Sequence, residues 1–108
     1  MAHITKKLLR YTGSIGLDKK LLDAARILPN EKVQVVNINN GARFETYAIA
    51  EKANSGIVAL YGPAARLGEI GDTIVILAYG MAQPSEAKRH TMRVVHVDRN
   101  NKITKCCP

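Results

Sequence analysis

The sequence has no tryptophan, one phenylalanine and four tyrosines, so aromatic residues make up only 5% of its 108 positions. Proteins that grip single-stranded nucleic acid interleave aromatic faces with cations, and scattered basic residues around one phenylalanine build no such platform. Nucleic-acid binding is therefore not expected, although 16 lysines and arginines against nine acidic residues give a net charge of +7. That excess suits an acidic partner, and a small anionic substrate satisfies it as well as a polymer does. Long apolar runs are missing too, and Met1-Ala2-His3-Ile4-Thr5 carries no hydrophobic secretion signal behind a basic one. No membrane segment is expected, and the predicted location is cytoplasmic. The only cysteines, Cys106 and Cys107, are neighbours near the end of the chain. They can neither staple a distant loop nor form a metal-ligand pair of ordinary spacing, so they read as reduced thiols in an expendable tail. His3, His90 and His96 share no ligand spacing, and no metal site is predicted. A phosphate-cradling loop and a GxGxxG fingerprint are also lacking.

What is present points to β structure. Apolar residues reach 46%, with valine and isoleucine prominent among them, and the length suits a single domain over 1–108. Asp18 is placed to cap a short helix running to about Ile27, with Leu21, Leu22 and Ala25 on one face. Val33 to Ile38 and Arg43 to Ile49 read as strands joined by Asn39-Asn40-Gly41, residues that tolerate positive φ in a hairpin. Further strands are expected at Ile57 to Tyr61, at Thr73 to Ala78 and at Met92 to Val97, with one helical turn opening at Pro84. The nearly all-apolar run Thr73 to Ala78 suggests a strand buried on both faces at the centre of the fold. Many short strands and frequent Gly or Asn turns predict a small barrel, which leaves no exposed sheet edge.

One dipeptide stands out chemically. Gly13-Ser14 occurs once, after Tyr11-Thr12 and before an apolar segment. By itself it reads as an ordinary turn with a solvated hydroxyl. Its company changes that reading: Leu21-Leu22-Asp23-Ala24-Ala25, Asn40-Gly41-Ala42-Arg43-Phe44 with Thr46-Tyr47-Ala48-Ile49, Gly62-Pro63-Ala64-Ala65-Arg66, and Gly71-Asp72 before an Ile/Val strand. In order and spacing the chain resembles the pyruvoyl-dependent aspartate 1-decarboxylases of pantothenate biosynthesis.

The resemblance implies a six-stranded double-psi β-barrel with short helices, assembled as a homotetramer with sites between subunits. It implies that the Ser14 hydroxyl attacks the Gly13 carbonyl and divides the chain into 1–13 and 14–108. Ser14 would then become a covalent pyruvoyl cofactor that condenses with the amine of L-aspartate as a Schiff base and accepts the electrons released with CO2, giving β-alanine. By similarity Tyr47 would be the catalytic acid, Arg43 the clamp on a substrate carboxylate and Thr46 a further substrate contact. The turn Gly62, Pro63, Ala64 would line the substrate, with Tyr11 and Tyr61 in support. Independently of the family, Arg43 and Tyr47 share parity on one strand and so project from the same face.

Three departures from the family pattern stand beside this. The sequence as given begins after the family's Lys-x-His-Arg stretch, whose lysine enters the substrate site: either the true start is further upstream, or this homologue lacks part of the N-terminal strand and a substrate contact. Tyr61 stands where an asparagine is usual, and Pro63 where alanine is usual, removing one N–H from the turn. These departures define a rival reading, an unprocessed homologue that serves as a binding or assembly module.

Overall fold

The computed structural model describes residues 1–107. The N-terminal segment forms two strand pieces, β1 (Ala2–His3) and β2 (Lys6–Leu8), followed by β3 (Ser14–Asp18) and helix α1 (Lys19–Ala25). Next come β4 (Lys32–Asn37), the long β5 (Arg43–Glu51), β6 (Val58–Tyr61), a 3₁₀ helix over Gly62–Leu67, and β7 (Thr73–Leu77). A helical turn α2 (Pro84–Ala87) and the strands β8 (Val95–Val97) and β9 (Ile103–Cys106) complete the order. Among the described residues no helix is long and apolar enough to cross a membrane.

Seven strands lie in the order β1, β7, β4, β5, β3, β6, β2, so the two ends of the sheet belong to one short segment. Ile4 donates to Asp72 O (2.9 Å) and Thr5 to Val58 O (2.8 Å), handing residues 2–8 from β7 across to β6. The sheet thereby curls round on itself. Counting the interrupted segment 2–8 as one strand gives the expected six, with parallel pairings β3 to β5 and β2 to β6 among antiparallel ones. The N-terminal strand is thus present from Ala2 onward.

The core follows from alternation. β4 buries Val33, Val35 and Asn37 and leaves Lys32 exposed, as a two-residue period requires. Ile15 and Leu17 of β3 meet Val58 and Leu60 of β6, with Ile4, Leu22, Ala48 and Ile74 around them. Asp18 ends β3 and caps α1, accepting from Lys20 N at 2.8 Å, and α1 stops at Ala25 because Arg26 adopts φ 58°, slightly before the expected Ile27.

Asp18 also accepts from Asn54 N (3.0 Å) and Gly56 N (2.9 Å). Burial alone would raise its carboxyl, but the N–H groups of Gly56, Lys20 and Asn54, helped by Lys102, outweigh this and hold it below its usual value. A depressed carboxylate stabilises the fold above the unfolded value of 3.8, and that contribution drains away as pH falls toward the lower folded value. Asp18→Ala is accordingly expected to cost about 3 kcal/mol, since three backbone donors lose their acceptor. Urea unfolding at neutral pH measures it, and the difference from the parent should narrow in acid.

Two expectations need correction here. In β7 only Ile74 is buried, and Val75, Ile76 and Leu77 are partly exposed. The strand is one stave of a curled sheet with an outer face, not a central strand covered on both sides. The C-terminal tail is not expendable either. Asn101 is 1% exposed, accepts from His3 N (2.8 Å) and donates to His3 O (2.9 Å) and Gly56 O (2.8 Å), tying the N-terminal strand to the loop before β6. β9 then pairs with β8, which is shorter than the predicted Met92 to Val97. Asn101→Ala should lower stability by about 2–3 kcal/mol, read as a shift in thermal midpoint, whereas a tail without structural work would leave it unchanged.

Candidate active site

The site forms where two strands part company. β3 and β5 run parallel from Ile15 opposite Ala48 to Asp18 opposite Glu51, and no pairing continues before Ile15. On its other side β3 pairs antiparallel with β6, with Ser14 opposite Tyr61. The Gly13-Ser14 peptide therefore sits at a fork, held along β6 and released from β5. The first half of β5, residues 43–47, pairs only with β4. Its free edge borders a cavity of about 330 Å3. Thr12 and Gly13 form one wall, Phe44 to Tyr47 another, and Tyr61, Pro63, Ala64 and Leu67 the third.

Gly13 has φ +111° and Gly62 φ +67°, both in the region that favours glycine. Their backbones are in close contact: a Cβ on Gly62 would stand 2.7 Å from Gly13 Cα, Gly13 N and Tyr11 O. The predicted Gly62-Pro63 turn is thus the start of the 3₁₀ helix, with Pro63 in its first turn and its Cδ facing the open side of Gly13. This packing fixes the segment leading into Ser14.

Ser14 is fully buried, and its Oγ has no hydrogen-bond partner among the described residues. An orphaned buried hydroxyl costs about 1–3 kcal/mol, and in a native fold such an atom calls for a reason. It does not face the core, because Ile15 and Leu17 do. By alternation Ser14 and Gly16 share the opposite face, together with their register partners Tyr61 and Ala59.

Tyr61 is 5% exposed and its hydroxyl donates to Glu51 Oε2 at 2.8 Å. Burial, then the hydrogen bond and the negative charge of Glu51, push the phenol up to about 12. Tyr11, half exposed, stacks at 4.8 Å in a tilted arrangement, and Lys6 Nζ lies 5.8 Å from the Tyr61 ring centre.

The structure brings Gly13, Ser14, Thr46, Tyr47, Tyr61, Pro63 and Ala64 together. It does not bring Arg43 with them. Arg43 and Tyr47 do share the exposed face of β5, but the guanidinium turns to Gln34 Oε1 (2.9 Å), which Tyr79 also reaches at 3.1 Å, and Arg43 lines no part of the cavity. Of the residues forming the cavity wall only Glu45 is charged, and Lys32 lies 3.4 Å from it. Sequence reading missed Glu51, Gln34 and Gly16. Only Gly16 left a signal, as a glycine inside a strand, where a close approach is the usual cause.

The candidate site is thus a small curled barrel's buried, unpartnered serine hydroxyl behind a positive-φ glycine that borders a cavity with tyrosine and threonine. Comparison with known proteins identifies the family. The aspartate decarboxylase family matches residues 1–104. Aspartate 1-decarboxylase of Carboxydothermus hydrogenoformans is 57% identical over 104 residues, covering 96% of this chain and 82% of that protein. The enzyme of the same name from Salinibacter ruber is 56% identical over 102 residues, covering 94% and 70% respectively. Aspartate 1-decarboxylase 1 of Gloeobacter violaceus is 53% identical over 105 residues, covering 97% and 89%. The chain belongs to the aspartate decarboxylase family.

Proposed function

We propose that this protein decarboxylates L-aspartate to β-alanine, the step that feeds pantothenate synthesis, after cutting itself between Gly13 and Ser14. The observation that carries the reading is the buried, unpartnered Ser14 Oγ next to a glycine at φ +111°. In the cut, Ser14 Oγ adds to the Gly13 carbonyl carbon and the amide becomes an ester; elimination and hydrolysis then leave a ketone at position 14. Residues 1–13 of the sequence become the small chain. The surroundings fit this course: Ser14 Oγ, which leaves with the Gly13 carboxylate, gives up no hydrogen bond, and the cavity opens beside the neighbouring Gly13.

A pyruvoyl ketone supplies the electron sink that carboxylate loss from an amino acid requires. The chain's own residues do the rest. Tyr47, on the cavity wall and 38% exposed, returns a proton to the carbon that lost the carboxylate. The Thr46 hydroxyl contacts substrate, and Gly62, Pro63 and Ala64 close the wall nearest Gly13. Arg43 clamps the substrate carboxylate with its donor fork.

In this reading the Arg43 guanidinium, which turns to Gln34 beside its own cavity, serves a cavity on another copy of the chain, in a homotetramer with sites at its subunit boundaries. The exposed Arg43 and Tyr47 face of β5 is the surface such a contact would cover. The test is incubation of matured protein with L-aspartate, followed by amino-acid analysis: β-alanine should accumulate in step with CO2, and its absence from fully cut protein would refute the assignment. Tyr47→Phe should leave cutting intact and slow turnover by about 100-fold or more.

A further inference from the structure

The cluster that neither the cut nor turnover has used is Glu51, Tyr61 and Gly16. Tyr61 is opposite Ser14 in the β3 to β6 register, and its ring reaches across the same face over Gly16 to the end of β5. A Cβ on Gly16 would stand 2.1 Å from Glu51 Oε2 and 2.8 Å from Tyr61 Cε2, so the glycine provides the room in which the two side chains meet. The face that carries Ser14 is turned away from the core, yet Ser14 is wholly hidden from solvent. Tyr61 lies on this face with Tyr11 stacked against it.

We propose that Glu51 is a positioning residue for maturation: by accepting the Tyr61 hydroxyl it pins the ring as a water-excluding wall over Ser14. The proposal rests on self-cleavage at Gly13-Ser14. Once Ser14 Oγ has displaced the Ser14 nitrogen from the Gly13 carbonyl, the resulting ester has two fates. In one, the Ser14 α-proton leaves, the Gly13 carboxylate departs from the β-carbon, and one water then replaces the nitrogen as ammonia, giving the ketone. In the other, one water attacks the ester carbonyl and leaves a Gly13 carboxylate and an ordinary N-terminal Ser14. Each fate consumes one water, but only the second needs it at the ester carbonyl. A pinned ring keeps water from that carbon and favours elimination.

The test reads the N-terminus of the large chain by intact mass. The two products differ by one ammonia, the serine form being the heavier. Glu51→Ala and Tyr61→Phe each remove one half of the pin, and Gly16→Ala displaces it. All three should raise the ratio of serine-ended to ketone-ended chains about tenfold or more, the scale of a lost hydrogen bond to a charged group. Glu51→Gln, which still offers an acceptor, should restore most of the parental ratio, whereas a merely structural role for Glu51 would be indifferent to this rescue. Circular dichroism confirms that each variant folds. Parental termini in folded Glu51→Ala and Tyr61→Phe, with the parent itself cut, overturn this inference alone. A parent that stays whole overturns it together with the reading on which it rests.

Discussion

Ser14→Ala is expected to remain one uncut chain indefinitely and to show no decarboxylation above background, while folding at least as stably as the parent. The second half of that expectation separates a reactive hydroxyl from a structural one. Ser14 is buried and its Oγ makes no hydrogen bond, so exchanging it for a methyl removes an unsatisfied polar atom without opening a cavity. Stability should hold or rise by about 1 kcal/mol. A serine that stabilised the fold would show the opposite, a lower melting temperature with no chemical consequence. Gel analysis of aged protein together with a urea melt reads both outcomes in one preparation.

Gly62→Ala is expected to slow the cut by about 100-fold or more, the scale that misplacement by an ångström exacts from a positioned reaction. Gly62 is not in the reacting peptide, but its φ of +67° disfavours any side chain, and the added methyl would lie 2.7 Å from Gly13 Cα, Gly13 N and Tyr11 O. All three are backbone atoms that cannot rotate aside. Either the 3₁₀ helix retreats or the segment 11–13 does, and both moves change the approach of Ser14 Oγ to the Gly13 carbonyl. Gly41→Ala is a matched control, because Gly41 has φ +76° but nothing within 4 Å of its Cβ position. It should lose stability while cutting at the parental rate. Equal cleavage half-times for Gly62→Ala and the parent would remove Gly62 from the account.

Much of the architecture was legible because it depends on local patterning. The alternation in Val33 to Asn37, the Asp18 cap and the Asn39-Asn40-Gly41 hairpin are each determined by a few neighbouring residues, and the structure places them as expected. Thr73 to Ala78 was misjudged because an apolar run looks the same whether both of its faces are covered or one is left partly exposed. Asn101 escaped because its partners, His3 and Gly56, are 98 and 45 positions away, and no periodicity reports contacts of that range. The same holds within the site. Gly13, Ser14, Thr46 and Tyr47 came from a resemblance, and the fork of β3 and β5 gathers them. The turning of Arg43 toward Gln34, and of Tyr61 toward Glu51, is decided by side-chain geometry across strands. A phenol at position 61 suggested a lost amide contact; the structure shows a different one, from the Tyr61 hydroxyl to Glu51.

Intact mass of the purified parent, taken after warming until it no longer changes, tests the central claim most directly. The expected spectrum has two components, one ending at Gly13 and the other beginning at position 14 with a ketone in place of the serine amine. A single component with the mass of the unbroken chain, from protein shown to be folded, would contradict self-cleavage and leave the binding or assembly module as the better reading.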